Sequence, residues 1–268
     1  MMRFIFAALL LLITLGTVDV ASAETLDELT TSCQKRNAEA CNNLGAMYAK
    51  GEGVTQDAVK AVELLRKACD GQVARGCFNL GVMYANGTGV KQDSVKAVEF
   101  YRKACDGHEA MGCTNLGWMY ATGTGVTQDA VKAVELYRKA CDGHEASGCY
   151  NLGAMYAKGE GVTQDAVKAV ELLRKACDGQ NAKGCGFLGV MYVNGIGVTQ
   201  DFFKAVELYR KACDGQMARG CFNLGEMYEK GQGVRQSVEE ALKFYGKACD
   251  LKIERGCQNY ARLKTGKK

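Results

Sequence analysis

Fourteen cysteines recur with a fixed spacing, and that spacing constrains the fold more than any other feature of the 268-residue chain. Cys33, Cys69, Cys105, Cys141, Cys177, Cys213 and Cys249 step by 36 residues. Companions Cys41, Cys77, Cys113, Cys149, Cys185, Cys221 and Cys257 step in the same phase, each eight positions further on. A repeat of this length is one supersecondary unit that buries its apolar face only by stacking on its neighbours. The pattern therefore predicts an elongated array with one unit per period.

The first 23 residues read as a secretory signal. Arg3 supplies the basic n-region, Phe4 to Leu15 a mostly apolar h-region, and Ala21-Ser22-Ala23 a small-residue cleavage site. The apolar run falls short of the ~20 residues that a membrane span needs, and no other segment reaches that length. No cysteine directly follows the small residues of the cleavage site, which argues against a lipid anchor. Cleavage near Ala23 would leave a mature chain, secreted or periplasmic in a bacterium, with no membrane anchor. In such a compartment an even number of regularly spaced cysteines reads as a disulfide framework. Zinc ligands more often come as Cys pairs about two to four apart. The spacing here is eight and the chain has only two histidines, so neither a metal nor any other cofactor is expected.

The formal net charge is +4, and Lys and Glu alternate within each repeat. This is a mixed, solvated surface without the basic stripe that a nucleic acid requires. Proline is absent, as suits a run of helices joined by glycine turns.

Arg75 to Gly107 shows the unit. Cys77, Leu80, Gly81 and Tyr84 fall at i, i+3, i+4 and i+7, one face of an amphipathic helix. Glycine costs about 1 kcal/mol against alanine within a helix. Its recurrence at Gly45, Gly81, Gly117, Gly153, Gly189 and Gly225 therefore predicts a close approach of two helix backbones. Gly87 is placed to end the helix in a left-handed conformation, and Asp93 to cap the next one. The second helix carries Val95, Ala97, Val98, Tyr101 and Ala104 at helical spacing and ends at Cys105-Asp106-Gly107. The expected organisation is a half-repeat cap helix over residues 24–37, six 36-residue helix pairs over 38–251, and a cap helix with a basic tail over 252–268.

The repeated string Asn-Leu-Gly-x-Met-Tyr, then Gly-x-Gly-Val, then Lys-Ala-Val-Glu-x-Tyr-Arg-Lys-Ala-Cys resembles the SEL-one-like repeat (SLR), a relative of the tetratricopeptide repeat. With a cysteine pair in every unit, the chain is similar to the Helicobacter cysteine-rich proteins. The resemblance implies an all-α, right-handed α/α solenoid, disulfide-bridged in every repeat. It also implies a secreted or periplasmic protein of the kind labelled penicillin-binding or β-lactamase. The chain departs from the pattern at Gly186-Phe187 and at Phe202-Phe203.

Each second helix ends beside the next unit's first helix, and antiparallel pairing also brings Cys41 near Cys69. Two pairings are thus within reach. The one joining cysteines eight apart uses all fourteen, whereas the one joining cysteines 28 apart strands Cys33 and Cys257. The first is expected.

In tetratricopeptide-like arrays the first helices line the concave surface. The face opposite Leu80 and Tyr84 carries Phe78, Asn79, Val82 and Asn86. Asn43, Asn79, Asn115, Asn151 and Asn223 repeat just before the Leu-Gly pair. Amides of this kind can grip an extended peptide backbone, or can simply bond the neighbouring helix; both readings stand at this stage. Next to them the sequence varies, with Phe78, Tyr150 and Phe222 in three units and Trp118 four residues after Thr114. Exposed on a concave face, these aromatics would act as interface anchors, Trp118 foremost, unless it packs into a neighbouring groove. The Met ladder reads as core, and His108 and His144 as exposed turn residues.

The expected ligand is a protein or peptide. The alternative, from the resemblance alone, is a weak β-lactam hydrolase whose ligand is a β-lactam or peptidoglycan-like small molecule. Ser32-Cys33-Gln34-Lys35 fits Ser-x-x-Lys and Lys264-Thr265-Gly266 fits Lys-Thr-Gly. They lie at opposite ends of the array, however, and Ser-Asp-Asn is missing, so no catalytic residue is assigned.

Overall fold

The computed structural model describes residues 25–266, so the expected signal segment lies outside the described residues. Fourteen helices and no strands follow one another there. Helix α1 (Leu26–Gln34) caps the first end. The six units are α2 (Ala38–Lys50) with α3 (Ala58–Asp70), α4 (Ala74–Asn86) with α5 (Ser94–Asp106), α6 (Ala110–Thr122) with α7 (Ala130–Asp142), α8 (Ala146–Lys158) with α9 (Ala166–Asp178), α10 (Ala182–Asn194) with α11 (Phe202–Asp214), and α12 (Ala218–Lys230) with α13 (Val238–Asp250). Helix α14 (Glu254–Lys264) closes the array. Every helix within the units has 13 residues, and successive pairs stack into an α/α solenoid.

The caps follow from the sequence. Asp57, Asp93, Asp129, Asp165 and Asp201 each accept a hydrogen bond at 3.0 Å from the backbone N–H three residues on. These bonds satisfy free donors at the start of each second helix. First helices end as expected on a left-handed glycine, Gly87 having φ 72°. Gly89, also at positive φ, is required for a second reason. A Cβ there would lie 2.2 Å from the carbonyl oxygen of Ala58, so this loop rests directly on the preceding unit's second helix.

Second helices end differently. Gly107 has an ordinary φ of −82°, and the left-handed residue is His108 at 66°. The glycine is needed for space, because a Cβ at Gly107 would come within 2.7 Å of that of Ala74.

The core is one stripe running through the stack. Leu80, Ala97 and Ala104 are fully buried and Tyr84, Val98 and Tyr101 nearly so. Two expectations are corrected. Val95 is 68% exposed; it stands about 200° around the helix axis from Ala97, on the outer face. Gly81 does not mark a meeting of backbones. The ring of Tyr101 lies on it, with Cδ1 2.7 Å from where a Cβ would be. The backbones approach one junction along, where a Cβ on Gly112 would meet Ala104 Cβ at 2.6 Å and Cys105 N at 3.0 Å.

That junction is also where the disulfides lie. The bridges are Cys33–Cys41, Cys69–Cys77, Cys105–Cys113, Cys141–Cys149, Cys177–Cys185, Cys213–Cys221 and Cys249–Cys257, with Cα–Cα distances of 4.5 to 4.7 Å. All fourteen cysteines are thus joined eight apart, and each bridge staples the end of one unit to the start of the next. Seven disulfides are chemistry of an oxidising compartment. Among the described residues no helix is long and apolar enough to cross a membrane.

Candidate binding surface

First helices of successive units pack directly on one another, α2 on α4, α6 on α8, α8 on α10 and α10 on α12, more closely than the second helices do. They therefore form the inner side of the curve, and the residues singled out on them share one face.

Trp118, on α6, is 51% exposed there. It borders a cleft of about 610 Å³ whose walls include Tyr150, Asn151 and Ser147 from α8 and Asn181 and Lys183 at the start of α10. The departure at Gly186 shapes the far end of this cleft. A Cβ there would lie 2.4 Å from the sulfur of Met217, which occupies the room that a larger residue would take. The structure thus brings Trp118, Tyr150 and Asn151 together. Asn43, Phe78, Asn79, Phe222 and Asn223 do not border this cleft.

Phe222 is a correction. It is only 6% exposed, with its ring 5.5 Å from that of Tyr245 and the Arg255 guanidinium 5.1 Å above it. With the Arg255 side chain of α14 laid over it, this aromatic belongs to the core. Phe78 is half-buried, with its ring centroid 6.0 Å from that of Tyr101.

The asparagines bond neighbouring side chains. Asn79 Nδ2 donates to Asn42 Oδ1 at 3.1 Å, and Asn42 Nδ2 donates to Asn43 Oδ1 at 3.3 Å. The amides of Asn115 and Asn223 lie beside the hydroxyls of Tyr101 and Tyr209, in each case across a unit junction. Burial pushes the phenol of Tyr209 up to about 12 against the lowering influence of the Asn223 amide, with the nearby Glu226 adding to the rise. Burial likewise takes Tyr137 to about 12.

A second ladder, on the outer side, escaped sequence reasoning. Arg66, Arg102, Arg138, Arg174 and Arg210 donate through Nη2 to the hydroxyls of Tyr84, Tyr120, Tyr156, Tyr192 and Tyr228, at 2.5 to 3.2 Å. Each pair spans 18 residues across a junction. The recurrent Arg after Leu or Tyr near the end of five of the six second helices was the available signal. In α12, Glu229 accepts from the Tyr245 hydroxyl and from Arg262 of α14. Burial opposes ionisation of Glu229, but those two bonds outweigh it and hold its carboxyl below the usual range.

His108 and His144 are exposed, as expected. Ser32 lies in α1 and Thr265 follows α14, so the two fragments that match β-lactamase motifs stand at opposite ends of the solenoid. Cys33 of the first is bridged to Cys41.

The Sel1 repeat model matches residues 38–73, 74–108, 110–144, 146–181, 182–216 and 218–252. The chain belongs to the Sel1 repeat family. Its solenoid is similar to that of c5321, a protective antigen of uropathogenic Escherichia coli strains displaying an SLR fold. The two are 31% identical, with a TM-score of 0.82 over 91% of this chain and 52% of that one, so this chain spans about half the length of the antigen. A Sel1 repeat protein from Oxalobacter formigenes is 27% identical, with a TM-score of 0.77 over 83% of this chain and 89% of that one. Helicobacter pylori cysteine rich protein B is 36% identical over 49% of this chain and 94% of its own, with a TM-score of 0.41. No curated protein matches the sequence.

Proposed function

We propose that this Sel1 array is an exported scaffold that binds a protein or peptide segment along its concave face, centred on units three to five. The observation that carries the reading is the cleft beside Trp118. A solvated tryptophan, a tyrosine and several amides share about 610 Å³ of open space there. Large rigid aromatics ringed by polar groups are what protein interfaces use as anchors, and side-chain amides bond both the N–H and C=O of an extended backbone. Further support comes from the disulfides, which suit an oxidising destination, and from the apolar leader at residues 4–15. The asparagines already bonded to a neighbour hold the helices in register, and Trp118, Tyr150 and Asn151 carry the recognition.

Site-specific photo-cross-linking tests this. A benzophenone amino acid at position 118 should capture a discrete partner from the oxidising compartment in which the protein resides. The same group at Val167, exposed on the second-helix side of unit four, should not. Capture from 167 and none from 118 would move the interface to another face.

A further inference from the structure

On the outer side, two repeats fill a cleft that others leave open. Phe100 of α5 stacks on Tyr84, with ring centroids 5.4 Å apart and planes at 18°. Phe244 of α13 does the same on Tyr228, at 5.6 Å and 12°. Both phenylalanines are buried, at 5% and 2% exposure. Cations frame both rings. Arg66 Cζ and Lys103 Nζ lie 5.9 and 5.2 Å from the centroid of Phe100. Arg210 Cζ and Lys247 Nζ lie 5.7 and 5.6 Å from that of Phe244.

In units three and five the corresponding residues are Leu136 and Leu208, both only half-buried. The tyrosine floor and the cations remain. Tyr120, Arg102 and Lys139 line a cleft of about 200 Å³ edged by Asp106 and Glu135, and Tyr192, Arg174 and Lys211 one of about 240 Å³ edged by Asp178 and Glu207. An apolar cavity of about 150 Å³ is enough to accept benzene. The open clefts therefore have room for a ring where their sister repeats hold one.

We propose that the clefts over Tyr120 and Tyr192 are docking sites for aromatic side chains, Phe or Tyr, of a protein partner bound on the convex face. The intramolecular Phe100 and Phe244 show the pose. The ring lies flat on the tyrosine, and Arg and Lys sit close to its electron-rich faces. Complementarity of charge favours an aromatic over an aliphatic side chain, because cations are drawn to the ring quadrupole. This site is independent of the concave cleft.

The probe is N-acetyl-phenylalanine N-methylamide, titrated into the full mature protein with methyl resonances followed by NMR. A ligand of this size with ordinary efficiency per atom binds in the millimolar range. The methyl signals of Leu116 and Leu188, which line the two clefts and are kept in every variant, should shift saturably. The cyclohexylalanine analogue should bind about 2- to 5-fold more weakly, as expected for an exposed cation–π contact. In Leu136→Phe/Leu208→Phe the clefts are filled as in units two and six, so the protein should stay folded while the saturable response disappears. Conversely, Phe100→Leu should create a third responsive site at Tyr84. Saturation that survives in the double Phe variant would overturn the proposal, as would equal binding of the cyclohexyl analogue. A response confined to the methyls of Ala182 and Met217, which line the concave cleft, would overturn it too, while supporting the concave reading.

Discussion

Removing one central disulfide should measure how far the array depends on its staples. Cys141–Cys149 joins α7 to α8, and both cysteines are buried, at 5% and 3% exposure. Replacing both by alanine reopens a loop of eight residues in the unfolded ensemble. The chain-entropy relation values that closure at about 2.5 kcal/mol at 25 °C. The two lost sulfurs leave a void of methyl size, adding about 1 kcal/mol. Cys141→Ala/Cys149→Ala should therefore lose about 3–4 kcal/mol in urea titrations followed by far-ultraviolet circular dichroism. Each unit contacts only its neighbours, so the transition should also broaden as the two halves begin to unfold separately. The terminal bridge Cys249–Cys257 closes a loop of the same length, but its cysteines are half-buried and it holds only α14. Cys249→Ala/Cys257→Ala should cost less, about 2.5 kcal/mol or below. A central loss under about 1 kcal/mol, or a terminal loss exceeding it, would refute the reasoning.

Three further outcomes follow from the same geometry. Leu80→Ala should cost about 2–5 kcal/mol by opening a core cavity, whereas Trp118→Ala, at an exposed site, should change unfolding by about 0.5 kcal/mol or less; equal losses would place Trp118 in the core. In an alkaline absorbance titration Tyr137 and Tyr209 should ionise only near pH 12. Their phenols sit near 10 when unfolded, so the stability they lend is complete below about pH 10 and lost as pH rises through about 12. Ionisation of all twelve tyrosines in one step near 10 would contradict their burial. Purified oxidised protein should turn over a chromogenic cephalosporin no faster than a blank; turnover above about 1 s⁻¹, abolished by a point substitution, would establish an enzyme.

Much of the architecture was legible because it is written locally and repeatedly. The caps at Asp57 and Asp93, the stop at Gly87 and the eight-residue disulfides each lie within one turn or junction. Reading failed where the outcome depended on a neighbouring unit. Phe222 occupies the same repeat position as Phe78, yet only Phe222 is closed over, by the Arg255 guanidinium of α14, where the equivalent residue of α6 is Met111. Gly81 was read as an approach of two backbones, but a tyrosine ring twenty residues on is what lies against it. The Arg–Tyr clamps reach across junctions over 18 residues, a separation at which helical periodicity carries no signal. The concave cleft was only partly legible. Trp118, Tyr150 and Asn151 were singled out from their positions, but the contribution of the α10 start and of Met217 over Gly186 emerges only from the stacked structure.

The central claim is that the concave cleft binds a partner through Trp118 without contributing to the fold. Its most direct test is the affinity of the partner captured from position 118, measured by calorimetry for wild type, Trp118→Ala, Tyr150→Ala and the outer-face control Val167→Ala, each with its melting temperature. The account predicts that Trp118→Ala weakens binding about 30-fold or more, the equivalent of a 2 kcal/mol anchor, with an unchanged melting temperature. Val167→Ala should bind as wild type does. Full affinity in Trp118→Ala and Tyr150→Ala, with loss in Val167→Ala, would contradict it.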